Sequence, residues 1–433
     1  MKKNGFTLVE ITVCVVLLVT IFLLVVPKVN TMINNKKKNA YNSLISTVKD
    51  AAQAYVYLNV NIVDDAIESQ GYYEVSIRTL QENELLENKL ENPLTGKNIP
   101  STSIVKIIKN NEEYIYKFSL DYQYLLEHII DLYSSEETRT SNGLKKDNTE
   151  DKNIRYYGSD PNNYVRFNNE LWRIIGIFGN NVKLVRKDSL GSLSWDSSES
   201  SINGGVGINQ WGESKDADGN EYAGADLQVY LNKMYYGGTS VTCYGGTKNS
   251  TTTCSTNTLD NTAKALIDNH TWNTGAPNHS TLYNSTTQSY DTVEFYKAER
   301  GTVNGKICSS GTYCNDTVTR TTEWTGYIGL PYVTDWAYAS SENDCNTKID
   351  RSSTYKCKNN NWMHRSTSTW YMSPYAIPYN ATSVWYVYDD GSSGLSLAAD
   401  ALSAFPTIYL KSNVLIESGN GTSSSPYILK AGS

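Results

Sequence analysis

Histidine, cysteine and charged residues are scarce in this chain of 433 residues. It has four histidines and seven cysteines, and charged residues make up 19% of the sequence. No two cysteines form a C-x-x-C pair and the histidines lack metal-ligand spacing, which argues against a zinc site. The sequence also has no nucleotide-binding loop, metalloprotease pattern or nucleophile elbow. We therefore predict that the protein is not an enzyme and holds neither a metal nor a cofactor.

The excess of acidic over basic residues limits the partners of the protein. The formal net charge is −7. Nucleic acid binding requires a basic surface that neutralises phosphates. We therefore do not expect nucleic acid to be a primary partner.

The N-terminal run Phe6–Val26 carries one charged residue, Glu10, and follows two lysines and Gly5. The run is long enough to span a bilayer, where a carboxylate is costly unless it finds a partner. An ordinary secretory signal peptide would be shorter and would end in an A-x-A cleavage site, which is missing. A plain signal anchor would explain neither the Gly5-Phe6 pair nor Glu10.

The segment MKKNGFTLVE resembles the N-terminus of type IV prepilins, the subunits of bacterial pili and related secretion filaments. The resemblance implies that a prepilin peptidase cuts after Gly5 and methylates Phe6. It also implies that Glu10 pairs with the Phe6 ammonium of a neighbouring subunit, which offsets the desolvation of both charges in the filament core. Pro27 matches a proline that such pilins often carry. The subunit would sit in the bacterial membrane as a single-pass protein and then join an extracellular filament.

Apolar residues from Tyr41 to Val56 recur at helical spacing, which predicts one long helix over residues 6–59. Residues 60–133 predict a small pilin domain with an antiparallel hairpin, because two alternating segments flank an Asn-Asn turn. Residues 134–153 are polar and charged, and we interpret them as a linker.

The remaining residues, 154–433, predict a large β-rich domain with few helices. The segments YVRF and LWRIIGIF flank Asn168-Asn169, which indicates a hairpin, and Phe405–Leu410 indicates a closing strand. Together with YIGLPYVTDWAYA and TWYMSPY, these segments are similar in order to bacterial surface domains of the C-type-lectin-like, formylglycine-generating-enzyme-like fold. That resemblance implies that the first and last strands pair and that long loops form a ligand face. Calcium-dependent sugar binding is not implied, because no EPN, QPD or WND motif is found.

All cysteines except Cys14 lie in this distal domain, as expected of an exported protein. Many connectivities are possible, and pairing between sequence neighbours is the simplest. The predicted disulfides are Cys243–Cys254, Cys308–Cys314 and Cys345–Cys357.

Aromatic residues are abundant, with 33 tyrosines and 9 tryptophans. Tyr and Trp can form a rigid binding surface, but a β-rich fold also uses them for packing. The segment Trp370–Tyr388 is polar and loop-like between its aromatic residues, and it would border the ligand face of a lectin-like fold. The candidate ligand-binding residues are Trp370, Tyr371, Tyr375, Tyr379, Trp385, Tyr386 and Tyr388; core packing is the alternative.

The sequence thus predicts an α+β protein: a long N-terminal helix packed on a small antiparallel sheet, a linker, and a disulfide-stapled lectin-like domain. The predicted function is a type IV pilin-like subunit, minor or at the tip, that presents an adhesive domain to a surface glycan or protein. The alternative is a pseudopilin of a secretion or DNA-uptake machine whose distal domain binds cargo.

Overall fold

The computed structural model describes two compact units, which divide between Gln123 and Tyr124. The described residues are 36–37, 39–93, 97–99, 101, 103–110, 113–119, 123–197, 209–212, 214–215, 221–222, 224–246, 249–303, 306–307, 321–351, 356–376 and 381–431. The fold is mixed α+β and consists mostly of β-sheets with a few helices.

The first unit packs a helix against a small antiparallel sheet. Its helices are α1 (39–58), α2 (Val60–Gln70) and α3 (Ile77–Glu82). Its strands are β1 (Tyr73–Ser76), β2 (Glu91–Asn92), β3 (Lys97–Asn98), β4 (Ile104–Asn110) and β5 (Glu113–Ser119), and the two-residue strand β6 (Gln123–Tyr124) lies at the boundary between the units. The main sheet has the order β1-β4-β5 with antiparallel pairing throughout.

The apolar residues that recur at helical spacing lie on the face of α1 that is buried. Val48, Ala52 and Val56 are almost completely buried and share a core with Val105 and Ile107 of β4. The predicted hairpin is confirmed as β4 and β5, which pair from Ile104–Ser119 at one end to Asn110–Glu113 at the other. The described half of the predicted long helix therefore packs on the sheet as its periodicity indicates; its first half lies outside the described residues.

Residues 134–153 are not a linker, and this prediction was wrong. They contain helix α5 (Glu136–Ser141) and strand β7 (Leu144–Lys146), which pairs with the following strand. Two of the polar residues in this segment are buried and bonded to each other: the Thr149 hydroxyl donates to Asp147 Oδ1 over 2.6 Å. The predicted boundary at residue 133 was also wrong, because helix α4 (Leu125–Ser134) contributes Leu125 to the core of the second unit.

The second unit adds short helices to a large set of strands. Its further helices are α6 (Asp226–Val229), which continues into a π-helix (Tyr230–Tyr236), α7 (Asn261–Leu266), α8 (His279–Leu282), α9 (Thr292–Glu299) and α10 (Val333–Tyr338), with 3₁₀ turns at Asn343–Asn346 and Lys356–Lys358. Its further strands are β8 (Ile154–Tyr156), β9 (Tyr164–Phe167), β10 (Glu170–Phe178), β11 (Asn181–Arg186), β12 (Ser192–Ser194), β13 (Ser214–Lys215), β14 (Glu221–Tyr222), β15 (Cys243–Tyr244), β16 (Thr251–Thr252), β17 (His270–Asn273), β18 (Tyr283–Asn284), β19 (Ser289–Asp291), β20 (Thr302–Val303), β21 (Lys306–Ile307), β22 (Glu323–Gly326), β23 (Ile328–Gly329), β24 (Lys348–Asp350), β25 (Thr369–Pro374), β26 (Ser383–Val387), β27 (Ser393–Leu397), β28 (Ala401–Ser403), β29 (Thr407–Leu410), β30 (Val414–Ser418) and β31 (Tyr427–Ala431).

The central sheet of this unit follows the order β23-β29-β11-β10-β9-β31-β30, and β8 joins it beside the end of β10. The predicted hairpin is confirmed as β9 and β10, joined by Asn168 and Asn169 with φ of 53° and 57°. Two consecutive positive φ values define the turn that matches strand twist, and Asn tolerates them. The predicted closing strand is confirmed as β29, which lies in the same sheet as the hairpin because it pairs with β11, the neighbour of β10. β31 returns to lie parallel to β9.

A second sheet with the order β12-β28-β25-β26-β27 carries the aromatic segment. Two disulfides are present, Cys243–Cys254 and Cys345–Cys357, as predicted from their short spacing. Cys308, Cys314 and Cys14 lie outside the described residues, so the third predicted bond remains a prediction.

Candidate functional site

The residues predicted to direct processing and assembly all lie outside the described residues. They are Gly5, Phe6, Glu10 and Pro27. Among the described helices, none combines the length and apolar character needed to cross a bilayer. The predicted membrane segment Phe6–Val26 is itself outside the described residues.

The candidate ligand-binding aromatics come together as predicted, but inside the core. Strands β25 and β26 pair with Trp370 opposite Tyr386, and their ring centroids are 6.2 Å apart. Trp370 and Trp385 have no exposed surface, and Tyr371, Tyr375 and Tyr386 are at most 8% exposed. The ligand-binding assignment was therefore wrong for these five residues.

Burial of the two tryptophans is made favourable by hydrogen bonds to backbone carbonyls. The Trp370 indole N–H donates to the Leu193 carbonyl over 2.8 Å, and that of Trp385 donates to the Pro277 carbonyl over 3.0 Å. A buried indole without a partner would pay a desolvation penalty. Strand β25 is buried on both faces, so its aromatic content reflects packing between layers.

Tyr388 is the candidate that reaches the surface, with 38% of its area exposed. Its ring centroid lies 4.2 Å from that of Tyr386, and both rings pack against Gly394 of the edge strand β27. Burial, together with a hydrogen bond to Tyr388, raises the pKa of Tyr386, so the Tyr386 hydroxyl stays neutral. Tyr379 lies outside the described residues.

A partly exposed aromatic and cationic cluster lies beside the buried Trp385, and the sequence analysis missed it. We call His279, Tyr283, Tyr290 and Arg351 the His279 cluster. The rings of His279 and Tyr283 stack with centroids 4.5 Å apart, and His279 Nδ1 is 2.8 Å from the Tyr290 hydroxyl. Arg351 Nη1 lies 3.2 Å from His279 Nε2. Tyr290 is buried and touches Trp385 edge-on with centroids 5.2 Å apart, which ties the cluster to the core.

The charge state of the His279 cluster follows from its surroundings. Burial, reinforced by the Arg351 guanidinium, lowers the pKa of His279. The imidazole is therefore neutral near pH 7 and Arg351 supplies the positive charge. A flat ring pair beside a guanidinium can stack on a sugar ring or an aromatic side chain and donate hydrogen bonds. In the sequence, the spacing of four residues between His279 and Tyr283 was the signal that could have indicated this cluster. Nothing in the sequence indicated that Arg351 belongs to it.

A network of charged side chains is buried in the centre of the second unit. Arg155 donates from Nε to Asp147 Oδ2 and from Nη1 to Asp335 Oδ1, both over 2.7 Å. Lys183 Nζ lies 2.5 Å from Asp335 Oδ2. All four side chains are at most 1% exposed. Each charge in this network has an opposite charge at contact distance, which is the condition for burying it.

The network is joined by a further carboxyl, Glu299, which is completely buried. It accepts hydrogen bonds from the backbone N–H and the hydroxyl of Thr334, the residue before Asp335. Burial raises the pKa of Glu299 to about 7. Within the described ranges, no group of three or more His, Cys, Asp or Glu side chains could hold a metal ion.

The protein was also compared with known proteins. No protein-family model, curated protein or solved structure matches the chain.

Proposed function

We propose that the protein is a type IV pilin-like subunit, held in the bacterial membrane before assembly and then incorporated into a filament. The observation that carries this proposal is the N-terminal motif: Gly5-Phe6 after two lysines, and Glu10 within a membrane-length run otherwise free of charge. A buried carboxylate needs a cationic partner, and the Phe6 ammonium of a neighbouring subunit supplies one. The packing of α1 on a small antiparallel sheet supports the same reading.

Processing is the direct test of this proposal. The mature protein begins at N-methyl-Phe6, and Gly5→Val blocks cleavage because the peptidase meets a branched side chain. Intact-mass analysis of assembled filaments that still carry Met1 would contradict the proposal.

Assembly is tested by Glu10→Ala, which leaves the cleavage site intact. We expect processed subunits that are absent from sheared filaments, because the Phe6 ammonium of each neighbour loses its partner. Glu68→Ala removes an exposed carboxylate from α2 and is the matched control, which should assemble normally. Equal incorporation of both variants would refute the pairing of Glu10.

We further propose that the second unit presents a ligand-binding surface and has a C-type-lectin-like fold. The pairing of β9, near the start of the unit, with its last strand, β31, and the two local disulfides support this fold. The His279 cluster replaces the buried aromatics as the candidate ligand face, because the rings of His279 and Tyr283 are partly exposed and the buried Tyr290 holds the cluster against the core.

Adhesion assays on whole cells test the ligand face. Tyr283→Ala combined with Arg351→Ala should abolish attachment, and Leu397→Ala, which removes an exposed apolar side chain from β27, is the matched surface control. Attachment that survives the double substitution would place the ligand elsewhere. If cells instead lose export of one secreted protein while attachment is unchanged, the cargo-binding pseudopilin is the correct function.

A further inference from the structure

Lys183 and Asp335 form an ion pair that holds the amine and the carboxyl group close enough to react with each other. Lys183 lies on β11 and Asp335 on α10, 152 positions apart in the sequence, with Nζ 2.5 Å from Oδ2. The side chains are 0% and 1% exposed. The Tyr332 backbone N–H also donates to Oδ2 over 3.0 Å, which fixes the carboxylate relative to the amine. Two groups held at this distance need little further loss of orientational freedom to react.

Aromatic rings enclose the amine and keep water out. Lys183 Nζ lies 4.2 Å from the ring centroid of Tyr332, 5.2 Å from that of Phe178, 5.3 Å from that of Tyr409 and 5.7 Å from that of Trp272. Burial lowers the pKa of Lys183 to about 8, although Asp335 partly opposes the shift. The neutral amine, which is the nucleophile, is therefore accessible near pH 7.

The other oxygen of Asp335 faces a guanidinium. Arg155 Nη1 donates to Oδ1 over 2.7 Å. Burial alone would raise the pKa of Asp335, but Lys183 and Arg155 together lower it, so the resting group is a carboxylate. If Lys183 attacks the carboxyl carbon, negative charge develops on Oδ1, directly against the Arg155 cation. A fixed donor in a site without water is an efficient stabiliser of such an oxyanion.

We propose that Lys183 and Asp335 form an intramolecular amide bond. A proton first passes from the ammonium to Oδ2 across their contact, which gives an amine and a carboxylic acid. Nζ then bonds to Cγ of Asp335, and the bond from Cγ to Oδ2 breaks. Of the three ammonium hydrogens, one stays on the amide nitrogen and two leave with Oδ2 as water. The reaction needs no oxidant, reductant or external donor, and it is independent of the filament function.

A second lysine provides an internal comparison. Lys145 Nζ lies 2.8 Å from Asn346 Oδ1, and it also donates to the Ser340 carbonyl. An amide at this pair would release ammonia and not water. In the described part of the chain, no second cation contacts the Asn346 oxygen as Arg155 contacts Asp335 Oδ1, and Lys145 Nζ lies 4.7 Å from the centroid of one ring, that of Tyr157. The proposal is therefore specific to Lys183.

The test is peptide mapping of the wild-type full-length chain after reduction, alkylation and trypsin digestion. An acylated lysine is not cleaved, so residues 174–186 should appear joined to residues 321–348. The joined species should weigh about 18 Da less than the sum of the two peptides, the mass of one water. A free peptide 174–183 together with an unmodified peptide 321–348 would overturn the proposal. A joint between Lys145 and Asn346, about 17 Da below the sum and without one at Lys183, would also overturn it.

Two variants give the matched control. Lys183→Arg keeps the buried cation but removes the amine, so the joined species should disappear. Lys145→Arg should leave it unchanged. Because the bond is measured on the denatured wild-type chain, the decision does not depend on whether Lys183→Arg folds. Loss of the joined species in Lys145→Arg alone would overturn the assignment to Lys183.

Discussion

Truncation of Trp385 distinguishes core packing from ligand contact. The side chain is completely buried and packs edge-on against Phe295, Tyr290 and Tyr375, with centroid distances of 4.9, 5.2 and 5.7 Å. Trp385→Ala removes these contacts and leaves a cavity, which destabilises a domain by about 3–5 kcal/mol. The Pro277 carbonyl also loses its donor, which adds about 1 kcal/mol.

We therefore expect Trp385→Ala to lower the free energy of unfolding by about 4–6 kcal/mol, which corresponds to a decrease in Tm of roughly 6–9 °C for a unit of this size. Trp385→Phe keeps a ring in the site and should lose about half as much. Tyr388→Ala removes a partly exposed ring from the neighbouring segment and should change stability by less than about 1 kcal/mol.

The assay combines thermal unfolding of the purified chain with attachment of cells that carry each variant. Attachment should fall only in proportion to the unfolded fraction in Trp385→Ala. If Trp385→Ala melts like the wild type and yet fails to attach, the ring contacts a ligand and our assignment of it to the core is wrong.

Three further predictions follow from other parts of the second unit. Replacing both Cys345 and Cys357 with serine should reduce stability by about 3 kcal/mol, since the bond closes a loop of 12 residues; denaturant unfolding with and without reductant measures this. Burial lowers the pKa of His128 to about 4, so the unfolded chain binds its proton more tightly, and stability present above pH 6.5 is lost as the pH falls toward 4. His128→Gln should reduce that acid-dependent loss by about 3 kcal/mol, and an unchanged pH profile would contradict it. Gly176→Ala would place a Cβ 2.2 Å from the Ile154 carbonyl oxygen and should cost about 1–3 kcal/mol in urea unfolding.

Local patterns in the sequence were sufficient for the features that depend on near neighbours. The hairpin at Asn168-Asn169 follows from alternation and a turn that accepts positive φ. The buried stripe of α1 follows from helical spacing, and the two observed disulfides follow from cysteines 11 and 12 positions apart. In each case the interacting residues are close in the sequence, so their pattern contains the structural information.

The features that were mispredicted depend on partners far away in the sequence. In the sequence, Asp147 belongs to a polar segment that resembles a linker. In the fold, Asp147 is neutralised by the buried Arg155, which also pairs with Asp335, 180 positions after Arg155 in the sequence. Trp385 reads as a surface aromatic because polar residues surround it in the sequence. The fold supplies the covering residues Phe295 and Tyr290 from another segment.

The parallel contact between β9 and β31 has a consequence for the order in which the second unit can fold. Tyr427 pairs with Val165, so β9 and its neighbour in the sheet are separated by 262 positions (427 − 165). Because a chain is synthesised from its N-terminus, β9 emerges early, with one edge unpaired, and β31 emerges late. Closing so long a loop is slow compared with forming the β9–β10 hairpin. The central sheet of the second unit therefore cannot be completed until residues 427–431 have emerged. Until then, the open edge of β9 can pair with another chain or bind a chaperone.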